Sequence, residues 1–300
     1  MISRIRLSFA IVQDARPANV KVIYQEMSIP CLVQITENPQ VAQVLNSLVA
    51  DVSGVLQKNL VGIYLYGSLV TGDFDAGISD LDLVVVTNRG LDDASFQSLN
   101  ELHQQVILSY PEWDDRLELA YVSLDALRTF RERQSLIAII SPGEPFHQLQ
   151  AGYDWLISWY MLRETGIALR GPDIASLIDP IEPTHYIEAV QSHIEAYRNS
   201  VKSANSKSNL SYIVLTTARG LYTVLHGQPT SKVKAATWAA RAFPKWSRLV
   251  NQALRWRVNP QSDGLSVDEI RPCAGAFVNE LLAMLPKKEE TAKAKSAPGA

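Results

Sequence analysis

Residues 66–86 read YGSLVTGDFDAGISDLDLVVV, and this stretch decides the fold of the first half of the chain. The segment just before its Gly-Ser, residues 61–66, is apolar and aromatic and has the length of a strand, so Gly67 and Ser68 are predicted to form a tight turn at its end. Asp80 and Asp82 then open a second strand. Because side chains alternate along a strand, both carboxylates are expected on one face of the sheet, opposite the neighbouring leucines.

The chemistry of this stretch suits a metal-bound phosphate. Backbone N–H groups and the hydroxyl of Ser68 can face an anion, and Asp80 and Asp82 offer the hard oxygen ligands that Mg²⁺ prefers. Glu118 is the candidate for a third carboxylate, because it lies in a short strand-like segment between two leucines that point the other way. The alternative for Glu118 is the solvent-exposed side of an edge strand.

The order of strand, Gly-Ser, loop and Asp-x-Asp resembles the nucleotidyltransferase superfamily, and residues 66–86 are similar to aminoglycoside adenylyltransferases of the streptomycin/spectinomycin 3''-adenylyltransferase type. The resemblance continues in LTTARGLYTVLHGQPTSKVKAATWA at residues 215–239, so it covers most of residues 27–286. It implies an α/β (α+β) nucleotidyltransferase domain with a mixed sheet, followed by an all-α helical-bundle domain.

The resemblance also implies roles for particular residues. The expected metal-binding and catalytic residues are Asp80, Asp82 and Glu118, with Glu118 as the general base. The expected residues for binding ATP, the co-substrate, are Gly67, Ser68, Ser79, Arg219 and Lys232. A lysine in the first turn of a helix adds its charge to exposed backbone N–H groups, which makes the position of Lys232 suitable for a phosphate.

The activity implied by this family is the Mg²⁺-dependent transfer of an adenylyl group from ATP to a hydroxyl of a small acceptor, with release of pyrophosphate. The expected acceptor is an aminoglycoside antibiotic, and the expected task is antibiotic resistance. Streptomycin-modifying members have an aromatic side chain and acidic side chains near the start of one helix of the second domain. The corresponding residues of this chain, 203–212, contain no Asp or Glu. Acidic side chains of the first domain, or Glu188 and Glu195, are the possible substitutes.

Charge is distributed unevenly along the chain. Residues 196–262 contain basic side chains but no Asp or Glu, which predicts a positive potential over part of the second domain. One interpretation is a face that complements the acidic first domain. Another is a toxin-like nucleotidyltransferase that modifies RNA or a protein through this basic domain. A third hypothesis, a nucleotide-binding regulator without catalysis, is disfavoured because all three carboxylates are present.

Composition predicts a soluble globular chain. The 300 residues are 47% hydrophobic and 20% charged, with a formal net charge of −3, and this length predicts about two domains. Cys31 and Cys273 lack the companions of a zinc site. We therefore expect a cytoplasmic monomer that has no membrane partner and that uses Mg²⁺ rather than zinc.

Four segments are predicted from the patterning along the chain. Residues 1–26 read as an extension that is disordered or precedes the natural start, 27–175 as the nucleotidyltransferase domain, 176–286 as the helical domain, and 287–300 as a disordered tail. Apolar periodicity predicts helices near residues 39–60, 93–110, 124–132, 154–165, 184–203, 209–226, 230–242, 245–256 and 266–284.

Overall fold

A computed structural model describes residues 35–286 of the chain. The predicted extension at residues 1–26 and the predicted tail at residues 287–300 lie outside the described part.

The first half of the described chain forms one mixed six-stranded sheet in the order β5-β4-β3-β2-β1-β6. Its strands are β1 (Leu60–Leu65), β2 (Leu81–Thr87), β3 (Leu117–Ser123), β4 (Ser135–Ser141), β5 (Glu144–Ala151) and β6 (Ile167–Arg170). Neighbouring strands are antiparallel except β2 and β3, which run parallel. The mixed sheet confirms the predicted fold class, although the β4–β5 hairpin and β6 were not predicted.

Helices cover both faces of this sheet. They are α1 (Pro39–Leu56), α2 (Ser68–Thr71), α3 (Asp93–Ser109), α4 (Leu124–Thr129) and α5 (Leu156–Thr165). The first begins sharply because the side chain of Asn38 accepts hydrogen bonds from the N–H groups of Gln40 and Val41, at 3.0 and 3.3 Å. The apolar stripe of α1 is buried against the sheet, as its three- and four-residue periodicity predicts.

The two faces of β2 belong to two different cores. Leu81 and Leu83 pack with α1 and α3, whereas Val84 and Val86 pack on the other face with α4 and α5. Alternation therefore places Asp82 on the face of Val84 and Val86. The second half of the chain begins on that face, so the carboxylate points toward the helical domain.

Five helices form the second domain: α6 (Pro183–Ser203), α7 (Lys207–His226), α8 (Lys232–Ala242), α9 (Ser247–Val258) and α10 (Val267–Leu282). The central helix is α7, which contacts the other four. The first half of α6, with Tyr186 and Val190, packs into the core of the sheet, while its second half, with Ile194 and Tyr197, packs into the helical core. One helix thus belongs to both cores.

Within residues 35–286, none of the helices combines the length and the apolar character that crossing a bilayer requires.

Candidate active site

The turn after β1 brings the backbone against a carboxylate. Gly67 has a φ of +73°, a conformation that favours glycine, and a Cβ at this position would overlap the Asp82 carboxylate. The backbone N–H of Ser68 donates to that carboxylate. The Oγ of Ser68 is buried and has no hydrogen-bond partner among the described residues, so a polar atom of the turn is left for a ligand.

Three carboxylates converge beside this turn. Because β2 and β3 are parallel neighbours, Asp82 pairs in register with Glu118, and Asp80 lies two residues before Asp82 on the same face. One carboxylate oxygen from each of the three lies within 4.8 Å of the other two. The structure therefore brings together the three residues that the sequence selected.

These acidic groups repel one another. Burial and the charges of Asp80 and Glu118 raise the pKa of Asp82 well above its usual range. Burial and the charge of Asp80 likewise raise the pKa of Glu118, while Lys232 and a hydrogen bond from the hydroxyl of Tyr66 lower it. The sequence motif predicts no role for Tyr66, since a lone aromatic residue at a strand end carries no specific signal.

Basic side chains of the helical domain face the acidic cluster. Lys232 is the first residue of α8 and interacts electrostatically with Asp80 and Asp82. Burial, followed by the neighbouring charges of Arg219 and Arg257, lowers the pKa of Lys232 to about 8. The predicted pair Arg219 and Lys232 thus lies together, and Lys232 is the member whose charge acts on the carboxylates.

A third cation was missed by the sequence interpretation. Arg257 on α9 donates from Nη2 to the Oγ of Ser79, at 3.4 Å. Ser79 is only 2% exposed, and its Oγ also accepts the N–H of Asp75 at 2.9 Å. The Ser79 hydroxyl therefore stabilises the loop before β2, and its binding of ATP stays a prediction. No local pattern could reveal Arg257, because its partner lies in the other domain.

Arg116 stabilises the same loop from the sheet side. Its Nε donates to the carbonyl oxygen of Ser79 at 3.0 Å, and its Nη2 donates to that of Ala76 at 2.8 Å. The guanidinium also lies over the Trp113 ring, 4.5 Å from its centroid. This bracing fixes the backbone that carries Asp80.

The donor set fits a hard divalent cation. In the part of the chain that the structure describes, none of the three carboxylates has a Lys, Arg or His nitrogen within 4.0 Å. A Mg²⁺ ion would offset the repulsion between the three carboxylates. It also prefers oxygen ligands, which are the only ligands that these side chains offer. The orphaned hydroxyl of Ser68 adds a polar group beside the same cluster.

Part of the basic charge of residues 196–262 is neutralised inside the helical domain. Lys207 pairs with Asp263 at 2.7 Å, and Lys245 pairs with Glu280 at 2.5 Å. The uneven charge of the sequence is thus partly compensated by acids that follow the basic segment. Arg219, Lys232 and Arg257 differ from these because they gather at the domain boundary.

Comparison with known proteins identifies both halves of the chain. A nucleotidyltransferase domain family matches residues 51–140, and the C-terminal domain family of aminoglycoside adenylyltransferases matches residues 176–283. An aminoglycoside (3'') (9) adenylyltransferase of Escherichia coli is 24% identical over 242 residues, which cover 76% of this chain and 89% of that relative. A spectinomycin 9-adenylyltransferase of Staphylococcus aureus is 27% identical over 208 residues, or 66% and 76% of the two chains.

A solved structure shares the fold. The crystal structure of spectinomycin adenyltransferase from Enterococcus faecialis with ATP and spectinomycin superposes with a TM-score of 0.65 and 18% identity, and covers 80% of this chain and 98% of that chain. The chain therefore consists of a nucleotidyltransferase domain followed by the C-terminal domain of aminoglycoside adenylyltransferases, in the same order as the sheet and the helical bundle.

Proposed function

We propose that this enzyme transfers the adenylyl group of ATP to a hydroxyl of an aminoglycoside-type antibiotic, with Mg²⁺ as the cofactor and pyrophosphate as the second product. The observation that carries the proposal is the meeting of Asp80, Asp82 and Glu118 with the cations of the helical domain across one boundary. The relatives are named as enzymes that act on aminoglycosides and on spectinomycin, which supports the choice of acceptor.

The carboxylates would bind the metal ion, and the cations would bind the phosphates of ATP. Asp80, Asp82 and Glu118 would hold Mg²⁺, which when bound supplies Lewis-acid polarisation and neutralises phosphate charge. Lys232, Arg219 and Arg257 would bind the remaining phosphate oxygens, and Ser68 would donate its free hydroxyl and fix the orientation of the triphosphate. The positive potential at the start of α8 favours the same placement.

Glu118 is the proposed general base. It accepts the proton of the acceptor hydroxyl, and the resulting oxygen forms a bond to the α-phosphorus of ATP. The bond from that phosphorus to the oxygen bridging to the β-phosphate breaks, so pyrophosphate leaves with the electron pair. A raised pKa makes Glu118 a better proton acceptor than an ordinary carboxylate, and burial is the main cause of that rise.

The proposal is tested by incubating the protein with ATP, Mg²⁺ and a panel of aminoglycosides and spectinomycin. We expect one added adenylyl group on at least one drug by mass spectrometry, in step with pyrophosphate release. Glu118→Gln keeps the size of the side chain but removes the base, so we expect a loss of about 100-fold or more in kcat. Exposed Asp114 provides the matched control, because Asp114→Asn should retain full activity.

Labelled RNA and protein are included in the same incubation as competing acceptors. Adenylylation of either macromolecule in place of every drug would assign the chain to the toxin-like alternative. Full activity of Glu118→Gln would remove the general-base role and leave only metal binding for that residue.

A further inference from the structure

Tyr66, Asp82 and Glu118 lie in one row across three neighbouring strands. In the antiparallel pair of β1 and β2, Leu65 lies opposite Leu83. The next residue, Tyr66, therefore lies opposite Asp82, and its N–H donates to the Asp82 carbonyl oxygen at 3.1 Å. In the parallel pair of β2 and β3, Asp82 lies opposite Glu118. Residues that lie opposite one another across strands point to the same face, so the Tyr66 side chain shares the face of the acidic cluster.

The Tyr66 side chain reaches across the middle strand of this row. Neighbouring strands are about 4.8 Å apart, so the backbones of β1 and β3 are separated by roughly 10 Å. Tyrosine and glutamate are both long side chains, and the hydroxyl of Tyr66 donates a hydrogen bond to the Glu118 carboxylate. A phenylalanine at this position would have the same ring but could not make this contact.

The surroundings of Tyr66 fix where its hydroxyl lies. Tyr66 is only 7% exposed, and its ring packs in the core between the sheet and the helices that follow it. Of the three carboxylates that act on the hydroxyl, Glu118 has the largest effect, ahead of Asp82 and Asp80. A phenolic hydroxyl has one proton to donate. Its hydrogen bond to Glu118 is therefore given from a rigid support.

Glu118 is the member of the cluster that most needs such a support. It has one more methylene group than Asp80 or Asp82, so its carboxylate can take more orientations, and ordering it costs more conformational entropy. Among residues 35–286, no Lys, Arg or His nitrogen lies within 4.0 Å of this carboxylate to hold it. The hydroxyl of Tyr66 restricts the orientation instead.

We propose that Tyr66 is a positioning residue that holds the Glu118 carboxylate in the orientation needed to bind Mg²⁺ and to accept the proton of the acceptor hydroxyl. The inference rests on the proposed function and adds to it a residue that acts through Glu118. Hydrogen-bond partners that orient a metal ligand in this way are typically worth about 10–100-fold in metal affinity or activity.

Binding of Mn²⁺ tests this role independently of activity. Mn²⁺ takes the same oxygen ligands as Mg²⁺, and it is titrated calorimetrically into the full chain with an ATP analogue whose α–β bridge cannot be cleaved. Tyr66→Phe removes the hydroxyl but keeps the ring and the backbone hydrogen bond to Asp82, so folding should be retained. We expect its affinity for Mn²⁺ to fall about tenfold or more.

Tyr64→Phe is the matched control. Tyr64 lies two residues earlier on the same strand and face, and it is fully buried. Its hydroxyl donates to the carbonyl oxygen of Pro172 at 3.0 Å, outside the acidic cluster. This variant also loses a buried hydrogen bond of a tyrosine, but its affinity for Mn²⁺ should be unchanged.

A double-mutant cycle shows whether the hydroxyl acts through Glu118. In the Glu118→Gln background, Tyr66→Phe should change the affinity for Mn²⁺ by about twofold or less, because the carboxylate that the hydroxyl orients is already absent. Steady-state kinetics at saturating Mg²⁺ give a second measurement. Tyr66→Phe alone should reduce kcat about tenfold or more and leave the KM for ATP unchanged.

Four results would overturn this assignment: an unchanged Mn²⁺ affinity or kcat in Tyr66→Phe, an equal loss of affinity in Tyr64→Phe, the same loss in the Glu118→Gln background, or no binding of Mn²⁺ by the unmodified chain. The third would mean that the hydroxyl acts on another group than Glu118. A loss of Mn²⁺ affinity confined to Tyr66→Phe, in a chain that adenylylates no acceptor, would leave the orientation of Glu118 in place and contradict the proposed function instead.

Discussion

At the residue scale, Gly67 is the position where the backbone conformation and the acidic cluster depend on each other. Its positive φ lets the chain turn between β1 and α2, and its missing side chain leaves room for the Asp82 carboxylate. A methyl group there has to displace either the turn or the carboxylate. Gly67 is therefore required for the geometry of the cluster as well as for the turn.

Gly67→Ala should reduce kcat about 100-fold, since a displacement of roughly 1 Å at a reacting group has that effect. Steady-state adenylylation kinetics measure it. Gly72→Ala is the matched control, because Gly72 also has a positive φ, of 76°, but a Cβ there meets no atom within 4 Å. That variant should lose about 1–2 kcal/mol of stability and keep its kcat. Equal activity in the two variants would contradict the steric role of Gly67.

Arg257 gives a second prediction for a single residue. Replacing it by Gln removes a cation next to Lys232 and Ser79, so the KM for ATP should rise about tenfold or more. Arg255→Gln is the control, because Arg255 is exposed on the same helix and donates only to Gln252 in the described structure. Similar KM values for the two variants would show that Arg257 acts on the loop rather than on phosphates.

At the element scale, the packing of α3 against β3 buries a histidine. The Nε2 of His103 lies 2.8 Å from the hydroxyl of Tyr121, and His103 is only 1% exposed. Burial lowers the pKa of His103 from 6.5 to about 4. Between about pH 4 and 6.5, His103 is therefore protonated in the unfolded chain but not in the folded chain.

This difference predicts how stability depends on pH. Below about pH 6.5 the unfolded state takes up a proton that the folded state does not, so the free energy of unfolding falls as the pH decreases toward 4, by roughly 3 kcal/mol in total. His103→Gln keeps a partner for Tyr121 but does not titrate, so urea unfolding at several pH values should show a smaller loss in this variant. Exposed His226 supplies the control, since His226→Gln should lose stability with pH as the unmodified chain does.

The elements differ in how far the sequence predicted them. Long helices with a clear apolar stripe, such as α1 and α3, lie within a few residues of their predicted bounds. The β4–β5 hairpin was missed because β5 alternates weakly and carries polar side chains at an edge of the sheet. The four-residue strand β6 is too short for a pattern, and only its pairing with β1 defines it.

The candidate site shows the same limit. Asp80, Asp82 and Glu118 could be selected because strand alternation fixes which way a carboxylate points. Arg257 could not, since its partner lies in the other domain, and neither could Tyr66, since its partner lies two strands away. The roles of the selected residues, and the proposed division of the chain at residues 175 and 176, stay predictions. That division crosses a continuous core, because Ile178 and Tyr186 pack on the sheet.

At the scale of the whole molecule, α6 joins the two cores. Tyr186 in its first half stacks on Tyr160 of α5, with the ring centroids 4.0 Å apart. Tyr186→Ala should therefore destabilise the chain by about 3 kcal/mol in urea unfolding. It should also raise the KM for ATP, because α6 joins the sheet that carries the carboxylates to the helical bundle that carries the cations.

Tyr153→Ala is the corresponding control. Tyr153 is 48% exposed, so its removal should cost about 0.5 kcal/mol or less. If Tyr186→Ala lost stability without any change in the KM for ATP, the packing of α6 would support folding alone and would have no part in aligning the two halves of the site.

The double membership of α6 has a practical consequence for building chimaeras. In a hybrid enzyme joined at residue 176, Tyr186 and Val190 would lose their packing against their own sheet and would pack against the sheet of the other parent. A hybrid joined instead at residues 204–206, between α6 and α7, would separate α6 from the other helices of its own bundle. Ile194 and Tyr197 would then lose their packing in the helical core. Recombination between relatives should thus succeed only where both parents supply compatible versions of this one helix.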